Sequence, residues 1–426
     1  MKVMVIGGGG REHALVWSLR QSSKVSEVVC APGNAGIAEL ATCVPLAVNE
    51  FEAIAKYANE HEIDLIVVGP DDPLADGIVD VLQSYGLNVF GPNKAAAEIE
   101  GSKVFMKHLL RKYNIPTAAY ETFDDVELAL RYVRSQPMPT VIKADGLAAG
   151  KGVIIAHTLA EAEAALHETM VDKKFGKSGN RIVIEEFMQG QEISILAFVD
   201  GETVRACVPA QDHKPIFDGD QGPNTGGMGT YSPVPHIDAS VVEEALKTII
   251  EPTARAMVQE GRTFKGLLFA GLMITPEGQP KVVEFNARFG DPETQVVLPR
   301  LKTDIVEVFE AVVKGTLHNI QLEWSDDAAV CVTVASEGYP GTYRKGDVIT
   351  GLANVGQKAL VFHAGTASNE AGNIVTNGGR VLGIVGRGQD VKAAQAAAYA
   401  AVKEISFDGM YYRTDIAGKA LTGTLV

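Results

Sequence analysis

The chain has 426 residues, of which 46% are apolar and 21% charged, enough for two to four domains with buried cores and unlike a disordered chain. Its formal net charge of −15 excludes long-range attraction to nucleic acid or anionic membranes; either solubility explains the acidity, or the cations that matter are gathered in a pocket for a small anion. Cys30, Cys43, Cys207 and Cys331 form no C-x-x-C, the histidines no H-E-x-x-H, and no stretch reaches the ~18 apolar residues of a membrane span or makes a signal-peptide core, so we expect reduced thiols, no zinc site and a cytoplasmic chain.

In chain order, residues 3–6 form a short apolar strand ending in glycines, 11–20 a helix, and 25–30 a strand broken by the turn-like Ala31-Pro32-Gly33-Asn34. Residues 51–60 read as a helix, 65–68 as a buried strand, 77–85 as a helix, and 87–90 as a strand closed by Gly91-Pro92-Asn93. This alternation predicts a Rossmann-like parallel sheet over 1–100, with ligands beyond the strand ends at 7–11, 31–36 and 69–73. Further on, 103–112, 126–133 and 160–170 are helical, while 140–143, 153–156 and 181–184 are strands. Residues 193–199 pair with 204–208 around Asp200-Gly201, 211–235 is one long polar loop, and 266–274 and 281–286 form a second hairpin. Strands at 328–335, 359–363 and 380–385 and an Ala-rich helix at 391–402 make a small α+β domain. The expected fold is thus α/β and multidomain: a parallel-sheet domain at 1–100, a central α+β domain at 101–325, and a C-terminal α+β domain at 326–426.

Three stretches suit phosphate and metal chemistry. In VIKADGLAAGKGV, residues 141–153, glycines bring backbone N–H groups close to phosphate oxygens and lysines add charge. It is not a Walker A loop, because Asp145 replaces a glycine and Gly152 follows Lys151; an ordinary glycine-rich turn shares the pattern. Glu185-Glu186-Phe187, with Glu192 beyond, could meet an adenine edge and ribose hydroxyls, or be a solvent-facing acidic strand end. In VVEFNARFGDPE, residues 282–293, strand alternation sends Glu284 and Asn286 to one face and Val283 and Phe285 to the other. A carboxylate beside an amide oxygen suits Mg²⁺, and Arg288 just beyond suits a carboxylate or phosphate; the alternative is a satisfied polar strand face. Gly7–Gly10 with Arg11 fails the dinucleotide pattern, since Glu12 stands where the third glycine belongs, and reads as a small-anion site or a tight turn.

Taken together, these stretches resemble the ATP-grasp superfamily and, within it, the phosphoribosylamine–glycine ligase family. The resemblance rests on GGREHA at 9–14, APGNAG at 31–36, IKADGLAAGKGV at 142–153, IEEF at 184–187 and QDHK at 211–214. It continues through GPNTGGMG at 222–229, EFNARFGDPETQ at 284–295, HAGT at 363–366 and VTNGGRVL at 375–382, so it spans the chain. It implies ATP-driven ligation of glycine to 5-phosphoribosylamine through glycyl phosphate, giving glycinamide ribonucleotide, ADP and phosphate in purine biosynthesis. The central domain would carry a lid at about 122–188. By position, Lys103 and Lys143 contact ATP phosphates, and the 145–152 loop with Gly150, Lys151 and Gly152 closes over them. Glu185, Glu186 and Phe187 hold adenine, Glu192 the ribose, and Glu284 and Asn286 bind Mg²⁺, with Mn²⁺ as a substitute. Arg288, Asp212 and Lys143 act in catalysis, and Gly9, Gly10, Arg11, Lys214, Asn224, Thr225, Gly226 and Asp291 line the glycine and phosphoribosylamine site. A monomer or weak homodimer without nucleic acid or membrane partners is expected. Gly8, Pro215 and Ala287 depart from the family's common residues; Pro215 matters most, since it removes a cation beside Lys214. The competing readings are a biotin-type carboxylase and a catalytically silent nucleotide-binding regulator.

Overall fold

The computed structural model describes residues 1–147, 152–355 and 359–422; Gly150 and Lys151 lie outside the described residues. Strands β1 (Lys2–Gly7), β2 (Glu27–Pro32), β3 (Thr42–Cys43), β4 (Leu65–Val68) and β5 (Val89–Phe90) form a parallel sheet in the order β3-β2-β1-β4-β5. The central β1 buries Val3, Met4, Val5 and Ile6 completely, as helices on both faces of a parallel sheet require. Those helices include α1 (Gly10–Leu19), α2 (Phe51–Glu60), α3 (Asp71–Asp76), α4 (Ile78–Ser84) and α5 (Lys94–Gly101). The expected helix at 77–85 starts one residue later, because Gly77, at φ +99°, ends α3 in the left-handed region before α4 begins. The strand order turns back between β1 and β4, the crevice where such sheets take ligands.

Helix α6 (Lys103–Lys112) leads into β6 (Tyr120–Phe123), β7 (Thr140–Ala144), β8 (Val153–Ala156) and β9 (Ile182–Glu186), an antiparallel sheet in the order β6-β9-β7-β8. Helices α7 (Val126–Val133) and α8 (Leu159–Leu166) cover it through Ala129, Val133, Ala162 and Leu166. The helix expected at 160–170 is α-helical only to Leu166 and then widens into a π turn, His167–Val171.

Strands β10 (Gln191–Asp200) and β11 (Thr203–Ala206) follow. The polar stretch expected as one loop carries four short strands: β12 (Gln211–Asp212), β13 (Pro215–Phe217), β14 (Gln221–Asn224) and β15 (Gly229–Ser232). After α9 (Ala239–Ala245) and α10 (Glu251–Gln259), strands β16 (Lys265–Ile274) and β17 (Pro280–Asn286) complete an antiparallel sheet in the order β11-β10-β16-β17. Gly271 faces Glu284 while Leu272 faces Val282, so Val283 is an inserted residue, a β-bulge. The bulge breaks the expected alternation: Val282 and Phe285 are buried, and Val283 is half-buried.

Helices α11 (Thr294–Val297) and α12 (Ile305–Lys314) lead to β18 (Ala328–Ala335), α13 (Leu352–Val355), β19 (Leu360–His363), β20 (Thr366–Ser368), β21 (Ile374–Thr376), β22 (Arg380–Gly388), α14 (Val391–Val402) and α15 (Gly418–Thr422). The last large sheet runs β12-β15-β18-β22-β19, so part of the polar stretch is built into the C-terminal sheet. All four cysteines are free thiols, and among the described residues no helix is long and apolar enough to cross a membrane.

Candidate active site

The bulge in β17 turns the Val283 carbonyl toward β7, where it accepts the Lys143 ammonium at 3.0 Å. Lys143 Nζ also lies 3.1 Å from Glu185 Oε2, and Glu185 Oε1 lies 3.2 Å from Lys107 Nζ. All three side chains are buried, so the carboxylate compensates two ammoniums that water cannot solvate. Burial pulls the Lys107 ammonium down to about 8 against the pull of Glu185. Lys107 also donates to Thr117 Oγ1 at 2.7 Å, which donates to the Val282 carbonyl at 2.8 Å. Helix α6 and strands β7, β9 and β17 are thereby tied into one cationic wall.

Beside that wall lies a cavity of about 460 Å³, lined by Lys103, Gly152, Asp212, Lys214, Glu284 and Asn286 together with groups from the N- and C-terminal regions. Lys103 donates to the Gly146 carbonyl at 3.0 Å, and Asp145, which accepts Ser102 Oγ at 2.9 Å and Arg181 Nη2 at 2.6 Å, anchors the start of the glycine-rich loop. Burial alone would raise the Glu284 carboxyl, but Lys214, Lys143, Lys103 and Arg288 hold it below the usual carboxylate range. Arg288 Nη2 reaches Glu100 Oε1 and Asn286 Oδ1, each at 3.1 Å, while Glu100 Oε2 accepts the Ala287 N–H at 2.7 Å. Burial pushes the Asp212 carboxyl up to about 6, with Lys214 opposing and Glu192 and Glu284 adding to the rise. Lys214 pairs with Glu192 Oε2 at 2.6 Å. Glu293, buried and facing Asp212, is pushed up to about 8 by burial first and by Asp212 second.

The far end of the cavity is built from the N- and C-terminal regions. Arg11 donates to Glu12 Oε1 at 2.6 Å and to the Phe289 carbonyl at 3.2 Å, and its backbone N–H meets Asp291 Oδ2 at 3.3 Å. Gly9 donates its N–H to Glu12 Oε2 at 2.7 Å. Arg380 Nη1 donates to the carbonyls of Gly226 and Asp291, both at 2.7 Å, and Tyr339 OH accepts the Gly226 N–H at 3.1 Å. Of the expected residues, Arg11, Lys103, Gly152, Asp212, Lys214, Thr225, Gly226, Glu284, Asn286, Arg288 and Asp291 line this one cavity. Lys143 and Glu185 lie in the adjoining wall. Glu186, Phe187 and Asn224 are exposed and stand outside the lining, and Glu192, Gly9 and Gly10 also fall outside it.

Three family models match the chain in sequence: the phosphoribosylglycinamide synthetase N domain over residues 1–100, its ATP-grasp (A) domain over 101–294, and its C domain over 329–419. A phosphoribosylamine–glycine ligase of Halalkalibacterium halodurans is 52% identical over 99% of this chain and 97% of its own. The chain belongs to the phosphoribosylglycinamide synthetase family. A crystal structure of phosphoribosylamine–glycine ligase from Thermotoga maritima superposes with a TM-score of 0.86 at 34% identity, covering 98% of this chain and 100% of the other. The biotin carboxylase domain of a Hydrogenobacter thermophilus 2-oxoglutarate carboxylase shares the fold alone, at a TM-score of 0.72 and 17% identity over 96% of this chain and 91% of that one.

ATP-grasp enzymes use ATP with a divalent metal, and the donor set in this synthetase-family chain fits one. Among the described residues no group of three or more His, Cys, Asp or Glu forms a ready-made metal cage. Glu284 and Asn286 offer one ionised carboxylate and one amide oxygen at the cavity wall, which suits an ion whose remaining ligands are phosphate oxygens and waters. Sequence reasoning missed Glu100, Lys107, Glu293, Tyr339 and Arg380. Glu293 and Arg380 stand inside stretches that carry the family resemblance; Glu100, Lys107 and Tyr339 have no local signal, because only the fold brings them to the site.

Proposed function

We infer that this chain ligates glycine to 5-phosphoribosylamine with ATP, giving glycinamide ribonucleotide, ADP and phosphate in purine biosynthesis. The observation that carries the reading is the meeting of Lys143 with the Val283 carbonyl, across 140 residues of sequence, beside a cavity that also takes Lys103, Lys214, Glu284 and Arg288. Such a place suits a metal-bound triphosphate. Lys103 and Lys143 face its phosphates, the glycine-rich loop with Gly150, Lys151 and Gly152 covers them, and Glu185, Glu186, Phe187 and Glu192 take the nucleoside. Glu284 and Asn286 would hold Mg²⁺, or Mn²⁺ in its place. When bound, the ion neutralises phosphate charge and fixes the orientation of the chain of phosphates.

The glycine carboxylate attacks the γ-phosphate, releasing ADP and forming glycyl phosphate; the amine of phosphoribosylamine then attacks the acyl carbon and expels phosphate. Both steps need in-line positioning and charge stabilisation rather than an enzyme nucleophile. Arg288, pinned by Glu100 and Asn286, suits the oxygens that gain charge. Asp212 beside Lys214 suits the glycine ammonium, while Arg11, Thr225, Gly226 and Asp291, with Gly9, Gly10 and Asn224 close by, suit the phosphoribosyl end. Because the acyl phosphate hydrolyses readily, closure of a lid at about 122–188 would protect it. We further propose working units at 1–100, 101–325 and 326–426 in a cytoplasmic monomer or weak homodimer without nucleic acid or membrane partners.

ADP release measured with glycine and freshly made phosphoribosylamine, each omitted in turn, tests the reading. Both should be required, and Glu284→Ala should reduce turnover to background while leaving thermal unfolding near that of the parent. ADP release indifferent to glycine, or a fully active Glu284→Ala, would overturn it.

A further inference from the structure

The β13–β14 hairpin joins two residues of the cavity wall, Lys214 and Thr225. Its feet are tied together: Thr225 N–H and Thr225 Oγ1 both donate to the Lys214 carbonyl, at 2.8 and 2.7 Å. Its tip needs support from elsewhere. Gly219, Asp220 and Gly222 all have positive φ, and Phe217 to Gly219 and Gln221 to Asn224 are exposed. A short two-stranded ribbon of this kind is not stable by itself.

The support comes from the C-terminal region. Tyr411 OH donates to the Ile216 carbonyl at 2.9 Å. Arg413 Nη1 donates to the Pro215 carbonyl at 3.0 Å and to Asp220 Oδ1 at 2.9 Å. The other edge of the same guanidinium is held by both oxygens of Asp415, at 2.8 and 2.7 Å, and Asp415 Oδ2 also accepts the Gly219 N–H at 2.9 Å. The Thr414 N–H donates to Asp218 Oδ1 at 2.8 Å, and Lys419 Nζ meets Asp220 Oδ2 at 2.5 Å. These bonds converge on residues 215–220. At their centre the Arg413 side chain is only 1% exposed, a costly position for a cation that here is offset by Asp220, Asp415 and the Pro215 carbonyl. Holding the Pro215 carbonyl fixes the Pro215–Ile216 peptide unit, and the ring-locked φ of Pro215 limits how far Lys214, one residue before it, can swing.

We propose that Arg413 is a positioning residue for ligation: by gripping the β13–β14 hairpin from behind, it sets how Lys214 and Thr225 enter the cavity. The inference rests on the reading of that wall as the glycine and phosphoribosylamine site. Charge-assisted, bidentate bonds give the grip its directionality, which a lysine at 413 cannot reproduce.

The experiment compares Arg413→Lys and Asp220→Asn with Lys214→Ala in the full chain, measuring thermal unfolding, ADP affinity, and kcat and KM for each ligated substrate. Arg413→Lys should raise KM for glycine, phosphoribosylamine or both about tenfold, with ADP affinity changed less than about twofold. Asp220→Asn, at a half-buried site that tolerates the change, should move KM the same way by a smaller factor and decides the matter alone if Arg413→Lys does not fold. Activity that falls only with the folded fraction, at unchanged KM, would make Arg413 merely structural and overturn the proposal. If Lys214→Ala raises KM and the Arg413 and Asp220 variants do not, the positioning inference alone fails. If Lys214→Ala also leaves KM unchanged, the assignment of this wall to the substrates fails with it.

Discussion

The Nδ1 atom of His13, on α1, accepts the backbone N–H of His363, on β19, at 2.8 Å, and a nitrogen that accepts a hydrogen bond cannot carry a proton as well. Burial, and then the charge of His363, lower His13 from 6.5 to about 3; burial lowers His363 to about 4. Both rings stay neutral in the folded chain, whereas in the unfolded chain they protonate near their ordinary value. Below pH ~6.5 the unfolded state therefore binds more protons, and stability is lost as the pH falls toward the folded-state values. At pH 5 each histidine should remove roughly 2 kcal/mol relative to neutral pH. Chemical unfolding at pH 7.5 and pH 5 measures this loss directly. In His13→Gln, which keeps an acceptor but cannot titrate, the drop between the two pH values should shrink by about 2 kcal/mol. An unchanged drop would mean that the acid sensitivity arises elsewhere.

At the scale of elements, the turn between β1 and α1 works only because β4 is followed by a residue without a side chain. Glu12 lies against Gly7 and Gly69, and a methyl at Gly69 would collide with its carboxylate and its Cγ. That carboxylate holds the Gly9 N–H and the Arg11 guanidinium, so moving it releases both groups at the crevice. Gly69→Ala should therefore raise KM for phosphoribosylamine about tenfold while ADP affinity stays close to the parent's; equal loss of both would point to general misfolding. The sequence shows Glu12 where a third glycine would let helix and strand pack closely, and the fold accommodates its side chain instead against Gly7 and Gly69. Elements with their own periodicity were legible to the residue, as in α2, β4, α6 and α7. Strands β12 to β15 were not, since they are short and polar and take their partners from one another, from β18 and from the C-terminal segment, with no apolar alternation to announce them. Helices α9, α10 and α12 went unassigned although α12 has a regular apolar face, Ile305, Val308, Phe309 and Val312. The bulge at Val283 follows from pairing with β16, which nothing in VVEFN announces, and it is the bulge that lets Lys143 reach β17.

Across the whole molecule, the cavity exists only where the three family-matched regions touch, and one arginine carries much of that contact. Arg380, at the start of β22, donates to the Gly226 carbonyl in the hairpin region and to the Asp291 carbonyl beyond β17. Asp291 in turn receives the Arg11 N–H from α1 and Gln295 Nε2 at 2.8 Å. Burial would raise the Asp291 carboxyl, but Arg380 and Arg11 on either side hold it below its ordinary range, so the carboxylate links the first and last regions of the chain. Lys103, Lys143 and the β17 pair Glu284 and Asn286 lie outside this link, whereas Arg11 and Gly226 are bonded directly into it and Thr225 precedes Gly226. Replacing Arg380 should therefore separate the two halves of the reaction. In Arg380→Met, ADP affinity should stay within about twofold of the parent, while kcat/KM for phosphoribosylamine falls about a hundredfold, the loss expected when a half-buried charged group with several hydrogen bonds is removed. Titration with ADP and initial rates at varied phosphoribosylamine measure the two quantities separately. A parallel fall in both would mean that Arg380 holds the nucleotide side as well and that the cavity does not divide along this link. An unchanged kcat/KM would mean that the contacts of α1 and β17 assemble the phosphoribosyl end without help from the C-terminal region.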